Sequence, residues 1–199
     1  LKKVVIASNN AHKIAEIKTA LDFEGWEYYT LKEVGITSEP NEDADTFEGN
    51  ARIKARAAHQ ATGLAALADD SGLVVDILGG RPGVYSARYA GEGCSDGENN
   101  AKLLEELEAI VHEERTARFV CTLVFVDEDG SELVAEGKIE GLIAHEARGD
   151  KGFGYDPIFL PVELGGDMTL AEVGQDKKNA ISHRGNALRM LKEKISVRR

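Results

Sequence analysis

The chain has 199 residues, of which 24 are Lys or Arg and 35 are Asp or Glu, a formal net charge of −11. With 42% hydrophobic and 30% charged residues, its composition is that of a globular chain long enough to bury a core, not of a disordered or fibrous one. The acidic balance argues against general binding to nucleic-acid backbones, which needs surplus cations to displace counterions, although a local cluster of cations can still hold a small anion. No run approaches the ~20 apolar residues of a membrane span, so no membrane partner is expected. The opening run Val4-Val5-Ile6-Ala7 is too short for the core of a signal peptide. The two cysteines form no CxxC pair, and the five histidines show no HxxxH or HExxH spacing. A cytoplasmic protein with reduced thiols is expected, and any metal should be a hard cation held by oxygen.

In chain order, Lys3–Ala7 is predicted as a strand and Ser8-Asn9-Asn10 as a turn. A helix follows with Ile14, Ile17 and Leu21 on one face. The acidic stretch Glu39–Asp45 leads to a second helix from near Thr46, where Asp45 and Glu48 have the spacing of a capping box. Asn50 and Lys54, four apart, share a face of that helix, and Gly63 ends it. Leu64–Ala68 reads as a buried strand running out into Asp69-Asp70-Ser71-Gly72. Leu73–Leu78 is a second apolar run, stopped by Gly79-Gly80-Arg81-Pro82-Gly83. Ser95 and Glu98 cap a helix through about Val111, with Leu103, Leu104 and Leu107 on its face. Phe119–Val126 and Glu132–Ile143 form a hairpin around Asp129-Gly130. After the glycine-rich Gly149–Pro157, a last helix runs from about Ser182 to Ile195. The pattern predicts a mixed sheet with helices in an α/β fold or one of α+β character, as a single domain over 1–199.

Several segments carry chemistry. Ser8 to Lys13 sets small polar residues between a strand and a helix, where backbone N–H groups, the helix dipole and Lys13 suit a phosphate. An ordinary turn with an Asn cap fits the same spacing, and no GxxxxGK[ST] loop is present. In Asp69-Asp70-Ser71-Gly72, adjacent carboxylates at the end of a buried strand repel each other and lose hydration. A divalent cation would offset both costs and leave one carboxylate to orient or deprotonate a water; a polar turn is the alternative. Aspartic proteases also carry Asp-Ser-Gly, but their chemistry needs two facing aspartates, and this chain has one such motif. Glu39–Asp45 either adds an oxygen ligand, with Glu42 the most central, or is a solvated loop with a helix cap. Phe153 and Tyr155 lie among glycines and suit stacking on a planar base, with Asp156 accepting from ring N–H groups; a tight turn with Phe in the core is the plainer reading. Lys177-Lys178 and Ser182-His183-Arg184-Gly185 bring cations to the start of the last helix, where an anion or acceptor is needed.

The motifs Ala68-Asp69-Asp70-Ser71-Gly72-Leu73, Gly80–Arg88, Gly152-Phe153-Gly154-Tyr155-Asp156-Pro157 and Ile181-Ser182-His183-Arg184-Gly185 occur in this order along the chain. Together they resemble the inosine/xanthosine triphosphate pyrophosphatase family, and the likeness runs from Val4 to about Leu191. The resemblance implies two lobes with an active-site cleft between them, a homodimer, and one Mg²⁺ per subunit. It implies hydrolysis of ITP, dITP and XTP to the monophosphate and pyrophosphate, clearing deaminated purines from the nucleotide pool. It places Ser8, Asn9, Asn10, Ala11, His12, Lys13 and Lys54 on the triphosphate, and Glu42 and Asp70 on Mg²⁺, with Asp70 activating the water. Ser71 would contact substrate, while Phe153, Gly154, Tyr155, Asp156, Lys178, His183 and Arg184 would enclose the purine. Glu39 and Asp43 are near alternatives to Glu42. Many members have Thr-Gly-Asn where this chain has Ser8-Asn9-Asn10; Asn tolerates left-handed geometry, so the turn is expected to persist.

Overall fold

The computed structural model describes residues 1–37 and 40–198, without the side chains of residues 175 and 179. The elements are β1 (Lys2–Ile6), α1 (Ala11–Ala20), β2 (Trp26–Thr30), α2 (Phe47–Thr62), β3 (Ala65–Val75), α3 (Asp96–Glu106), β4 (Thr116–Val126), β5 (Glu132–Ile143), β6 (Phe159–Pro161), α4 (Gln175–Ile181) and α5 (His183–Arg198). Among the described residues, six strands form one sheet in the order β2-β1-β3-β4-β5-β6. β1 is parallel to both β2 and β3, and β6 is antiparallel to β5, so the sheet is mixed as expected. The β4–β5 hairpin turns where predicted: Gly130 has φ +80° and its N–H donates to Asp127 O at 2.9 Å. No described helix is long and apolar enough to cross a membrane.

The chain divides into two compact units. The first comprises Leu1–Asp70, Cys121–Gly137 and the residues from Arg184 onward; the second comprises Ser71–Val120 and Lys138–His183. In the first unit, strand periodicity decides the packing, because successive side chains point to opposite faces. Val4, Ile6, Leu67, Leu123 and Phe125 pack with Ile17 and Leu21 of α1 and Leu188, Leu191 and Ile195 of α5. Their neighbours Val5, Ala66, Ala68, Val124 and Val126 pack with Ala51, Ala55 and Ala58, the small-residue face of α2. The second unit has its own core, including Leu73, Val75, Leu103, Leu107, Phe119, Ile139 and Phe159.

Three expectations are corrected. Leu64–Ala68 and Leu73–Leu78 are not separate runs around a polar turn: β3 is continuous from Ala65 to Val75, and Asp69-Asp70-Ser71-Gly72 lies inside it. β3 lies between β1, which is paired with it along Ala65–Leu67, and β4, and the sheet overrides the poor strand propensity of Asp and Gly. The cap of α2 is Thr46 rather than Asp45; Thr46 Oγ1 accepts from Gly49 N–H at 3.0 Å, and Glu48 pairs with Arg52 instead. α3 forms the predicted Ser95–Glu98 capping box but stops at Glu106. Just beyond, the buried Arg115 guanidinium donates to the carbonyls of Leu107, Ile110 and Ala144, so carbonyls past the helix end are satisfied without continuing the α-helix. The short elements β2, β6 and α4 carry too little periodicity to be read from sequence.

Candidate active site

Because β3 runs unbroken through Asp69 and Asp70, strand alternation sends them to different helix layers. Asp69 meets α1 and α5. It is 1% exposed, and its Oδ2 lies 2.9 Å from Lys13 Nζ and 3.4 Å from Arg184 Nε. Arg184, itself buried, also pairs with Glu16 Oε2 at 2.7 Å. Burial pushes the Asp69 carboxyl up, but Lys13, Arg184 and Lys54 together outweigh it and hold the group well below the usual carboxylate range. Its Oδ1 has no partner among the described residues.

Asp70 meets α2. Its carboxylate accepts from Asn50 Nδ2 at 3.3 Å and lies 3.7 Å from Lys54 Nζ, which is 2.9 Å from Glu42 Oε2. Burial raises the Asp70 carboxyl above its ordinary value; Lys54 opposes the rise and Glu42 reinforces it. Burial works to lower the Lys54 ammonium, yet Asp70, Asp69 and Glu42 prevail and raise it. Asn50, 2% exposed, also accepts from Ala44 N–H at 3.0 Å through Oδ1, tying the acidic run to α2 and bringing Glu42 to Lys54. Asp43 is exposed, and Glu39 lies outside the described residues.

Two carboxylates sharing one ammonium are an all-oxygen donor pair that suits a hard cation whose other positions are filled by water and phosphate oxygens. Among the described residues no three His, Cys, Asp or Glu side chains converge, so an all-protein cage is absent there.

The first loop is capped by its own asparagine. Asn10 is extended, its Oδ1 accepts from the N–H groups of His12 (3.0 Å) and Lys13 (3.2 Å), and Ser8 Oγ accepts from Asn10 N–H at 3.1 Å. Asn9, Ala11 and His12 are exposed around it. The left-handed geometry considered for this turn is not used, since no described residue other than glycine has positive φ.

The aromatic loop and Lys178 belong to the second unit. Buried Asp156 accepts at Oδ2 from Phe153 N–H (2.8 Å) and from Lys178 Nζ (2.5 Å). Lys178 Nζ also lies 4.6 Å from the centre of the Phe153 ring. Burial raises the Asp156 carboxyl, with Lys178 opposing. Gly152 is required here: at φ +81°, a Cβ would lie 2.1 Å from Asp156 Oδ2. Phe153 is 45% exposed and presents its ring, whereas Tyr155 is buried and donates from its hydroxyl to Ser86 O at 2.7 Å. The His183 ring stacks on Phe119 at 5.0 Å and 15°. Ser71 is half-buried in β3. The cations expected near the last helix therefore have carboxylates: Asp156 for Lys178, Asp69 and Glu16 for Arg184.

Sequence reasoning missed the contacts of Asn50 and Glu16. Their only signals were local: Asn50 lies four residues before Lys54, and Glu16 three after Lys13, which puts each on the same helix face as that lysine.

The sequence model of the Ham1 family matches residues 4–194. The dITP/XTP pyrophosphatase of Clostridium perfringens is 47% identical to this chain, with 98% of each covered. That of Bacillus subtilis is 48% identical, with 99% of this chain and 98% of the relative covered. The solved structure of a HAM1 protein from Coxiella burnetii matches with a TM-score of 0.92 at 42% identity, covering 98% of this chain and 99% of the other. Fold, motif order and near full-length identity agree, and the chain belongs to the Ham1 family.

Proposed function

We propose that this chain hydrolyses dITP, ITP and XTP between the α and β phosphates, releasing the nucleoside monophosphate and pyrophosphate and so clearing deaminated purines from the nucleotide pool. The observation that carries the reading is the convergence of Glu42 and Asp70 on Lys54, one strand position from the Asp69–Lys13 ion pair, in a chain whose relatives are named dITP/XTP pyrophosphatases. Lys13, Lys54 and the turn from Ser8 to His12 hold the polyanion against the protein's net charge of −11 and stabilise pyrophosphate as it leaves. Glu42 and Asp70 would hold Mg²⁺, one per subunit, which when bound neutralises phosphate charge and acidifies water. Asp70 accepts the proton of the attacking water, help that typically contributes ~10²–10⁴ in rate.

The exposed face of Phe153 stacks on the purine, and Lys178, with two N–H groups beyond the one given to Asp156, donates to the 6-oxo oxygen. Gly154, Tyr155 and Asp156 shape that wall, His183 and Arg184 close it, and Ser71 contacts the substrate. Adenine would bring a donor against a donor, a mismatch that can discriminate by ~10⁴. The same reading takes residues 1–199 as one catalytic domain working as a cytoplasmic homodimer, without nucleic-acid or membrane partners. A panel of dITP, XTP, GTP, ATP, dUTP and dTTP with Mg²⁺, assayed separately for pyrophosphate and orthophosphate, tests the activity. Pyrophosphate from dITP and XTP is expected. Orthophosphate as the direct product overturns the bond assignment, and a preference for dUTP or dTTP overturns the base assignment.

A further inference from the structure

Gly154 sits at the centre of the aromatic loop and is gripped through both of its main-chain polar groups by one turn of α3. Its N–H donates to Asp96 Oδ2 at 2.7 Å, and its carbonyl accepts from Asn100 Nδ2 at 3.1 Å. Asp96 and Asn100 are four residues apart and therefore share a helix face. The Ser95–Glu98 capping box fixes where that turn begins, with Ser95 N–H on Glu98 Oε2 at 2.7 Å and Glu98 N–H on Ser95 Oγ at 3.2 Å.

The N–H belongs to the peptide joining Phe153 to Gly154, and the carbonyl to the peptide joining Gly154 to Tyr155. Two side chains thus fix both peptide planes around a residue whose φ of +60° only glycine adopts without strain. Nothing lies within 4 Å of where a Cβ would stand, so the glycine serves the backbone conformation and not a close approach. On either side the loop is already anchored, Phe153 N–H to Asp156 and the Tyr155 hydroxyl to Ser86 O. Gly154 is the pivot between those anchors, and its setting decides where the exposed Phe153 ring stands above Lys178. The amide oxygen of Asn100, Oδ1, has no partner among the described residues, although the side chain is buried. Its amide nitrogen makes the bond to Gly154.

We propose that Asp96 and Asn100 are positioning residues for purine recognition, acting through Gly154 on the placement of Phe153 and Lys178. The inference rests on the reading that this loop holds the base. It is tested on the full chain by steady-state kinetics with dITP and XTP for Asp96→Ala, Asp96→Asn, Asn100→Ala and Phe153→Ala, with a melting curve for each. Removing either grip should raise KM about tenfold, the worth of a charged or buried hydrogen bond, and leave kcat unchanged. Asp96→Asn keeps an oxygen that can accept from Gly154 N–H and should restore the wild-type KM. Asp96 is exposed, so its variants report even if Asn100→Ala fails to fold. A raised KM in Phe153→Ala with none in Asp96→Ala overturns the positioning role alone. An unchanged KM in Phe153→Ala overturns the base-site reading beneath it. Loss of kcat together with a lowered melting temperature, unrescued by Asp96→Asn, reduces the pair to a structural role and also overturns the proposal.

Discussion

Asp69 and Asp70 share a peptide bond but not an environment. Asp69 faces Lys13 and Arg184 and is held ionised by them, with Lys54 adding to the field. Asp70 shares one lysine with Glu42, and burial lifts its carboxyl above the ordinary range. The first carboxylate is already neutralised by the protein; the second has more negative charge around it than the protein supplies cations to balance. Strand alternation creates the difference by giving each aspartate its own helix layer. Adjacent identical residues therefore differ in charge balance, and under the proposed function that lets them divide the work, Asp69 fixing cations and Asp70 left for metal and water.

The strongest way to break this comparison is Asp69→Ala. It removes the buried carboxylate between Lys13 and Arg184, and losing one partner of a buried ion cluster should cost about 3–5 kcal/mol of stability, read by urea unfolding. Asp70→Asn should instead leave unfolding unchanged while lowering kcat for dITP by at least ~10²; near-wild-type pyrophosphate release would remove Asp70 from its role. Asp156 asks whether burial against a single cation is enough to produce Asp70-like behaviour. Its folded carboxyl titrates above 3.8, so the stability linked to its proton is full below that pH and is lost as pH rises through the raised value. Wild type should therefore lose stability relative to Asp156→Asn across that window, and a difference flat in pH contradicts the assignment. Smallest is Glu16→Gln, which leaves Arg184 its bond to Asp69 and should cost about 1 kcal/mol in the same unfolding assay.

Local signals were read well. Ser95 and Glu98 three residues apart formed the capping box expected of them, and Asp129-Gly130 turned the hairpin. Asp45 and Thr46 are both capping residues, and only the chain's entry into α2 chose Thr46. The motif residues Lys13, Lys54, Glu42 and Asp70 were legible, and the structure brings Lys54 to both carboxylates and Lys13 to Asp69. The long-range bonds around the candidate site were not, because Arg184–Glu16 spans 168 positions, Asn50–Asp70 spans 20 and Gly154–Asp96 spans 58.

From the amino-acid sequence alone came most element types, the family likeness and the candidate site residues, because propensity, capping and motif spacing act over a few residues. Only the tertiary structure decided that Asp69-Asp70 lies within a strand and not a turn, and which cation each carboxylate receives. Strand continuity there depends on hydrogen bonds to distant neighbours, and the charge balance of a buried group depends on which helices the sheet places over it.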